Sequence, residues 1–398
     1  MAEQFDIAIV GGAITGSVLS LALSSATSHK IRIAIIEKSI PNFAEQGGFD
    51  ARSIALAYGS LQKLAKIQSL VGQNLVDLIA QISTPIHKIH VSDQGHFGKT
   101  HIKAEELHLP QLGTVVELAK LGEKLNNIIA QHQNITLFCP NTVEKVERSN
   151  THCTLTLANQ EVIECKLVVA ADGIQSQIAQ KCGVETVLVK EYNQSAIIAN
   201  VELSESHQNQ AFERFTTQGP FALLPLTEKT MSLVWCMNDT TEVMDYSDDE
   251  FLQAIQQQFG WKLGKFSRVS KRFVYPLSLR KSQSHIHHRL AIVGNASQFL
   301  HPVAGQGFNL GMRDLFELAT LVGTAFNQQQ DIGDQALLST FNENRQADQE
   351  RIMRSTSGLI SIFCCEFLPV QVIRNLGLLA LNPLTFARHK VAHRALGW

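Results

Sequence analysis

The chain has 398 residues, 44 % hydrophobic and 18 % charged, with a formal net charge of −2. That length accommodates two domains and a large core, and the near-neutral charge gives no electrostatic basis for nucleic-acid binding. Seven cysteines without a C-x-x-C pair argue against a complete disulfide framework and for a reduced, cytoplasmic setting.

In chain order, the first signal is "DIAIVGGAITGSVLSLAL", residues 6–23. An apolar run, Ile7–Val10, meets a glycine turn, and Val18, Leu19, Leu21, Ala22 and Leu23 suit a buried helix. No removable leader is expected before a strand that starts near Phe5. The turn reads Gly11, Gly12, Ala13, Ile14, Thr15, Gly16, which is G-x-G-x-x-G with alanine at the second glycine. In such a turn the first glycine makes the bend, the second admits a pyrophosphate, and the third lets helix and strand pack. Alanine adds one methyl but leaves the helix N–H groups available to phosphate. A second apolar run, Ile31–Ile36, ends in Glu37 and Lys38. An acid about 20 residues after the turn is placed to accept from ribose hydroxyls.

Two further strand ends follow, at Asp172-Gly173 after Leu167–Ala171 and at Gly294-Asn295 after Leu290–Val293. Between about 185 and 280 the texture becomes β-branched and aromatic, which predicts an inserted antiparallel sheet. Phe215, Phe221, Leu223 and Trp235 on it are candidates for an apolar wall over a substrate ring. The loop with His301-Pro302 leads into Gly305, Gln306, Gly307, Phe308 and Asn309, which open an apolar helix whose N-terminus would stabilise the anion of a reduced flavin. His285, His287 and His288 are read as a surface loop, with no acid or cysteine to complete a metal set, so no metal is assigned. From about Asp331 the chain is helical and then strongly apolar. No apolar stretch reaches the roughly 18 uninterrupted residues of a membrane span, so the tail is expected either to lie at a membrane surface or partner interface or to pack on the core.

The turn at Gly11–Gly16, Asp172-Gly173 and the Gly294–Asp314 stretch together resemble the three signatures of the class A flavin monooxygenases. Within that family, "GFDARSIALAYGS" (48–60), "HVSDQGHFG" (90–98), "FERFTTQGPFALLPL" (212–226) and "HPVAGQGFNLGMRD" (301–314) look like the ubiquinone-biosynthesis hydroxylases, most of all those acting on 2-octaprenyl-6-methoxyphenol. The resemblance covers nearly the whole chain. It implies an α/β fold, α+β overall, in which a Rossmann-like FAD domain carries an inserted antiparallel sheet and C-terminal helices. The boundaries drawn are 1–80, 100–182 and 285–330 for the FAD domain, 81–99 and 183–284 for the substrate sheet, and 331–398 for the helical segment.

By the same resemblance, Gly11, Gly12 and Gly16 hold the FAD pyrophosphate and Glu37 the adenosine ribose. Arg52 lies near the flavin and pyrophosphate, and Asp172-Gly173 supports the cofactor. Asn295 meets the ribitol or pyrophosphate, and Pro302 with Gly305–Asn309 lines the isoalloxazine. His301 is the nearest candidate base or, equally, a loop support. Ala13, Asn295, Ala179 and Glu117 depart from residues common in the family. The implied reaction uses O2 and a transient NAD(P)H, and runs through a flavin C4a-hydroperoxide that hydroxylates a polyprenylated phenol. The implied place is cytoplasmic, peripheral at the inner membrane face, in reach of a quinone-biosynthesis complex. Alternatives are a related hydroxylase acting at another ring position, a FAD-dependent reductase of isoprenoid lipids, and a flavoprotein assembly subunit.

Overall fold

The computed structural model describes the chain except for residues 1, 44–47, 51, 71, 301–304, 364, 366, 382, 384 and 397–398. Its centre is four short runs of small and β-branched residues. β2 (Ile7–Val10), β3 (Ile33–Ile36), β13 (Leu167–Ala170) and β21 (Leu290–Ile292) are buried along their whole length, as strands of a parallel sheet covered on both faces must be. They pair in the order β21-β13-β2-β3, extended by parallel β9 (Ile135–Phe138) and, at the other end, by antiparallel β20 (Ile286–His287). Ile292 lies beside Ala170, Ala170 beside Val10 and Val10 beside Ile36. Four segments far apart in sequence therefore leave the sheet at one edge, where ligands gather in open α/β sheets.

α1 (Ile14–Ala26), α4 (Leu118–Ile129) and α8 (Gln306–Asn327) bury leucine and isoleucine on one face of this sheet, joined by α2 (Tyr58–Leu64) and α3 (Leu75–Ala80). The other face is covered by α5 (Gln177–Lys181) and by a second sheet, β1 (Glu3–Gln4), β12 (Val162–Cys165), β11 (Cys153–Leu157) and β10 (Val143–Arg148). A three-stranded sheet, β4 (Ser53–Ala57), β8 (Gly113–Glu117) and β5 (Ser83–Ile86), connects this body to the inserted sheet.

The inserted sheet is built as expected from β-branched and aromatic runs. β14 (Thr186–Leu203), β15 (Gln210–Phe215), β16 (Pro220–Thr227), β17 (Thr230–Met237) and β19 (Phe273–Ser282) join β6 (Lys88–Asp93), β7 (Lys99–Lys103), β18 (Phe266–Val269) and β22 (Gln298–Phe299). β7 pairs with β6 as far as Lys103, so the boundary drawn at residue 100 cuts a hairpin, and β5 pairs with β8 rather than with this sheet. Helix α7 (Asp248–Phe259), preceded by α6 (Thr241–Asp245), covers one face. It starts at a reciprocal Ser247–Glu250 capping box.

The tail forms α9 (Gln335–Phe363), α10 (Leu368–Ala380) and α11 (Thr385–Leu396), with α9 and α10 meeting at a bend of 117°. A buried ion pair fixes α10: Arg374 Nε donates to Asp93 Oδ2 at 2.7 Å, and its Nη1 donates to the carbonyls of Ile362, Phe363 and Cys365. Asn375 Nδ2 reaches the same carboxylate oxygen at 2.8 Å. Phe363 stacks on Phe215 with centroids 3.7 Å apart. Leu368, Val372, Ile373 and Leu376, on the outer side of α10, remain exposed. Removing one member of a buried pair leaves the other charge unmatched, at a cost of about 3–5 kcal/mol. Arg374→Met is therefore expected to undock α10 while the sheets stay folded. Hydrogen exchange should then accelerate across residues 368–380 alone, and unchanged protection there would contradict the assignment.

Candidate active site

The site begins with a close approach. Gly11 has φ +106°, and a Cβ there would lie 2.4 Å from the Ala171 carbonyl oxygen. A Cβ on Gly16 would lie 1.9 Å from the Gly11 oxygen. Both positions therefore require glycine, the first for conformation and the second for packing. Ala13 sits differently. It is exposed at the start of α1, with no side chain capping the helix. Its methyl is exposed to solvent, so the substitution disturbs no packing within the turn. Ile14 and Thr15 complete the first turn of the helix, whose open N–H groups form an anion site.

Glu37 bends back to this turn. Its Oε2 accepts from Gly12 N at 2.7 Å and its Oε1 from Ser39 N at 3.1 Å. Both oxygens keep lone pairs for ribose hydroxyls, while Lys38 is exposed beside them. On the neighbouring strand end, Asp172 Oδ2 accepts from Ile178 N at 3.2 Å. Its Oδ1 is buried without a partner, and burial pushes the carboxyl above its usual value. A buried acceptor with no donor is costly, and a cofactor hydroxyl would satisfy it. Gly173 follows with φ +91°. Ala179 is buried one helical turn on, with its N–H on the Ser176 hydroxyl.

The third strand end enters through Gly294, φ +63°, packed so closely that a Cβ would meet Thr15 Cγ2 at 2.9 Å. Asn295 is exposed at the same edge. Gly294 N donates to Asp314 Oδ2 at 3.1 Å. Gln298 Nε2 and Arg345 Nε donate to the same side chain, at 3.0 and 2.7 Å. Burial raises the Asp314 carboxyl to about 6, against the pull of Arg345. Gly305, φ +61°, starts α8, followed by Gln306, Gly307 and Phe308. Asn309 then clamps α8 to β4: its Oδ1 accepts from Ala57 N and Ser60 Oγ, and its Nδ2 donates to the Ala55 and Gly305 carbonyls. His301 and Pro302 lie outside the described residues.

Arg52 leads into β4 and donates from Nη1 to Tyr275 OH at 3.0 Å, bridging the two large domains. Next to it stand two polar atoms that sequence reasoning did not single out as a pair. Ser53 and Glu117 are register partners across β4 and β8. Ser53 Oγ and Glu117 Oε2 are both buried without partners, although Glu117 Oε1 takes Lys120 Nζ at 2.8 Å. Cross-strand register, which one sequence does not carry, makes this donor–acceptor pair. The glycine cradle, the Asp172 acceptor and these hydroxyl-compatible atoms fit FAD, whose pyrophosphate and sugar hydroxyls supply what they lack.

The candidate substrate wall needs correction. Phe221 and Leu223 on β16 and Trp235 on β17 point to the α7 side. There Phe221 and Trp235 stand 5.7 Å apart and pack with Phe251 and Phe259. β16 is apolar at successive positions, so its alternation could not say which face is inward. The opposite face carries Ala196, Cys236, Leu277 and Tyr192. Phe215 is on that side, with Phe363 and Leu378. Tyr192 joins this group to Leu300 and Leu310 on either side of the flavin loop. His285 is also corrected. It is buried, 2.7 Å from Ser297 Oγ, and burial lowers its imidazole to about 4, whereas His287 and His288 are exposed beside Arg148.

Two outcomes follow. Ala13→Gly is expected to bind FAD within about threefold of wild type. Ala13→Glu, which sets a carboxylate at the helix start, should weaken binding roughly tenfold by fluorescence titration; equal affinities would contradict the cradle. The Asp314 carboxyl, at about 6 when folded against roughly 3.9 unfolded, opposes folding in full above about pH 6, and that opposition fades toward about pH 4. Asp314→Asn lacks this dependence. The stability advantage of wild type over the variant should therefore widen from about pH 7 to about pH 5 in urea unfolding, and a narrowing advantage would contradict it.

A family model described as a FAD binding domain matches residues 90–356. A ubiquinone hydroxylase of Rhodospirillum rubrum is 32 % identical over 98 % of this chain and 90 % of its own length. The 3-demethoxyubiquinol 3-hydroxylase of Escherichia coli is 28 % identical over 99 % of both chains. Among solved structures, p-nitrophenol 4-monooxygenase from Pseudomonas putida superposes with a TM-score of 0.80 over 99 % of both chains at 15 % identity, a likeness of fold. The chain belongs to the FAD-dependent monooxygenases of the ubiquinone-hydroxylase family and is an oxidoreductase.

Proposed function

We propose that this protein uses FAD, NAD(P)H and O2 to hydroxylate the ring of a polyprenylated phenol, of the 2-octaprenyl-6-methoxyphenol type, in ubiquinone biosynthesis. The observation that carries this reading is the near end-to-end match to relatives named as a ubiquinone hydroxylase and a 3-demethoxyubiquinol 3-hydroxylase. When bound, FAD supplies two-electron chemistry and the activation of O2 for insertion of one oxygen atom.

The residues divide the remaining work. Gly11–Gly16 and the start of α1 hold the pyrophosphate, with Glu37 on the adenosine ribose. Asp172, Ser53 and Glu117 take cofactor hydroxyls. Asn295 and the Gly305–Asn309 helix start face the flavin, with His301-Pro302 assigned to its loop by sequence. The α8 N-terminus stabilises negative charge on the reduced ring. Tyr192, Cys236 and Leu277 replace the withdrawn trio as the apolar wall, together with Phe215. Such a wall keeps water from the reacting atoms.

The tail supports a lipid-soluble substrate. α10 exposes Leu368, Ile373 and Leu376, while Arg374 and Arg388 of the tail are buried in ion pairs with Asp93 and Glu106. Among the described residues no single helix is long and apolar enough to cross a membrane. An exposed apolar helix face suits peripheral contact with a bilayer, where such a phenol resides. The reading is tested with purified holoenzyme, NAD(P)H, labelled O2 and 2-octaprenyl-6-methoxyphenol in detergent. One labelled oxygen in the product ring is expected. Nucleotide oxidation with a product altered only by added hydrogen would identify a lipid reductase instead.

A further inference from the structure

The proposed reaction needs a hydride donor, yet the chain has one glycine fingerprint, and its strand ends are the ones that fit FAD. A cavity of about 340 Å³ opens where β18 and β19 meet the short turn Gly48–Asp50, and Phe49, Asp248, Arg268, Ser270, Lys271 and Arg272 line it. We propose that this cavity binds the adenosine diphosphate end of the pyridine dinucleotide donor. The inference rests on the oxidoreductase reading above and extends it to a site.

Three observations carry it. The first is charge. Three cations face one carboxylate, Asp248, which already accepts from Arg272 Nη2 at 3.3 Å. Arg272 is braced further by Nη1 on the Tyr246 carbonyl at 2.7 Å. Arg268 and Lys271 are exposed and complete a cationic rim, and a guanidinium fork matches phosphate oxygens in pairs. The second is the ring. The Arg268 guanidinium carbon lies 4.3 Å from the centroid of Phe49, so the ring backs the guanidinium and a flat base entering the cavity can stack on the outer side of that plane. The floor is firm, because Asn200 Nδ2 donates to the Phe49 carbonyl at 2.8 Å and Asn200 N donates to Ser270 Oγ at 2.8 Å.

The third is position. Phe49 stands three residues before Arg52, and Arg52 is held by Tyr275, four residues after Lys271. The cavity thus lies within a few residues along the chain of Arg52, the side chain that the family resemblance sets near the flavin and pyrophosphate. A dinucleotide anchored here by its phosphates extends its other end toward that edge. Capture is by solvent-facing charge, which suits a donor that binds, reacts and leaves, and makes its affinity fall with added salt.

The test uses the FAD-loaded full chain and two probes, ADP-ribose and inorganic pyrophosphate, in calorimetric titration. Wild type is expected to bind ADP-ribose more tightly than pyrophosphate, because only the former carries a base to stack on the Phe49-backed Arg268 guanidinium. Arg268→Gln with Lys271→Gln should raise the ADP-ribose Kd roughly tenfold with FAD content unchanged. Lys229→Gln, on the exposed turn between β16 and β17, should bind as wild type. In anaerobic mixing, the NAD(P)H concentration that half-saturates flavin bleaching should rise in the double variant. No ADP-ribose binding by wild type, equal Kd in the double variant, or equal affinity for the two probes would each overturn the proposal. A protein that passes these tests but inserts no labelled oxygen retains the nucleotide site and loses the hydroxylase reading.

Discussion

The site depends on the contact between α1 and the turn at Gly11. A side chain on either glycine would collide with main-chain oxygen, at 1.9 Å from Gly16 and 2.4 Å from Gly11. Because this approach is available, β2 and α1 meet at a sharp bend and the helix N-terminus opens at the sheet edge. Parallel register then brings Glu37, Asp172 and Asn295 to the same edge. The cradle is thus a consequence of backbone packing more than of any single polar side chain.

The second layer of support is buried charge. Asp314 ties the Gly294 amide to Gln298 and Arg345, and Arg345 continues to Asp348 and through it to Arg313. Helices α8 and α9 are fixed by this chain to the strand end that carries Asn295. Asp93 and Arg374 do the same between the inserted sheet and α10. Both networks place an ion pair where three elements converge, so each fixes relative orientation.

Much of the parallel sheet was legible because its strands are continuous apolar runs ending at glycine or acid, a pattern that local sequence expresses directly. The wall of the substrate site was not. In "FALLPL" both faces are apolar, and the larger residues Phe221 and Leu223 turned to the α7 core, where there was volume to fill. Tyr192 was invisible for a related reason: its importance lies in joining three apolar groups contributed by β14, β15, β17, β19, α8, α9 and α10. Ser53 and Glu117 become a pair only through cross-strand register. Asp314 was more readable than it was read, since a lone acid buried in an otherwise apolar stripe of α8 signals a partner.

The central claim is that the cradle grips both halves of FAD, the adenosine half through Glu37 and the glycine turn, and the flavin half through β4, Asn295 and α8. Competition between FAD and FMN for the flavin-free protein tests it most directly. The account predicts one FAD per chain, displaced weakly or not at all by FMN, because FMN lacks the adenosine that Glu37 holds and one of the two phosphates at the α1 turn. Equal affinity for the two flavins, or no bound flavin in folded protein, would contradict it.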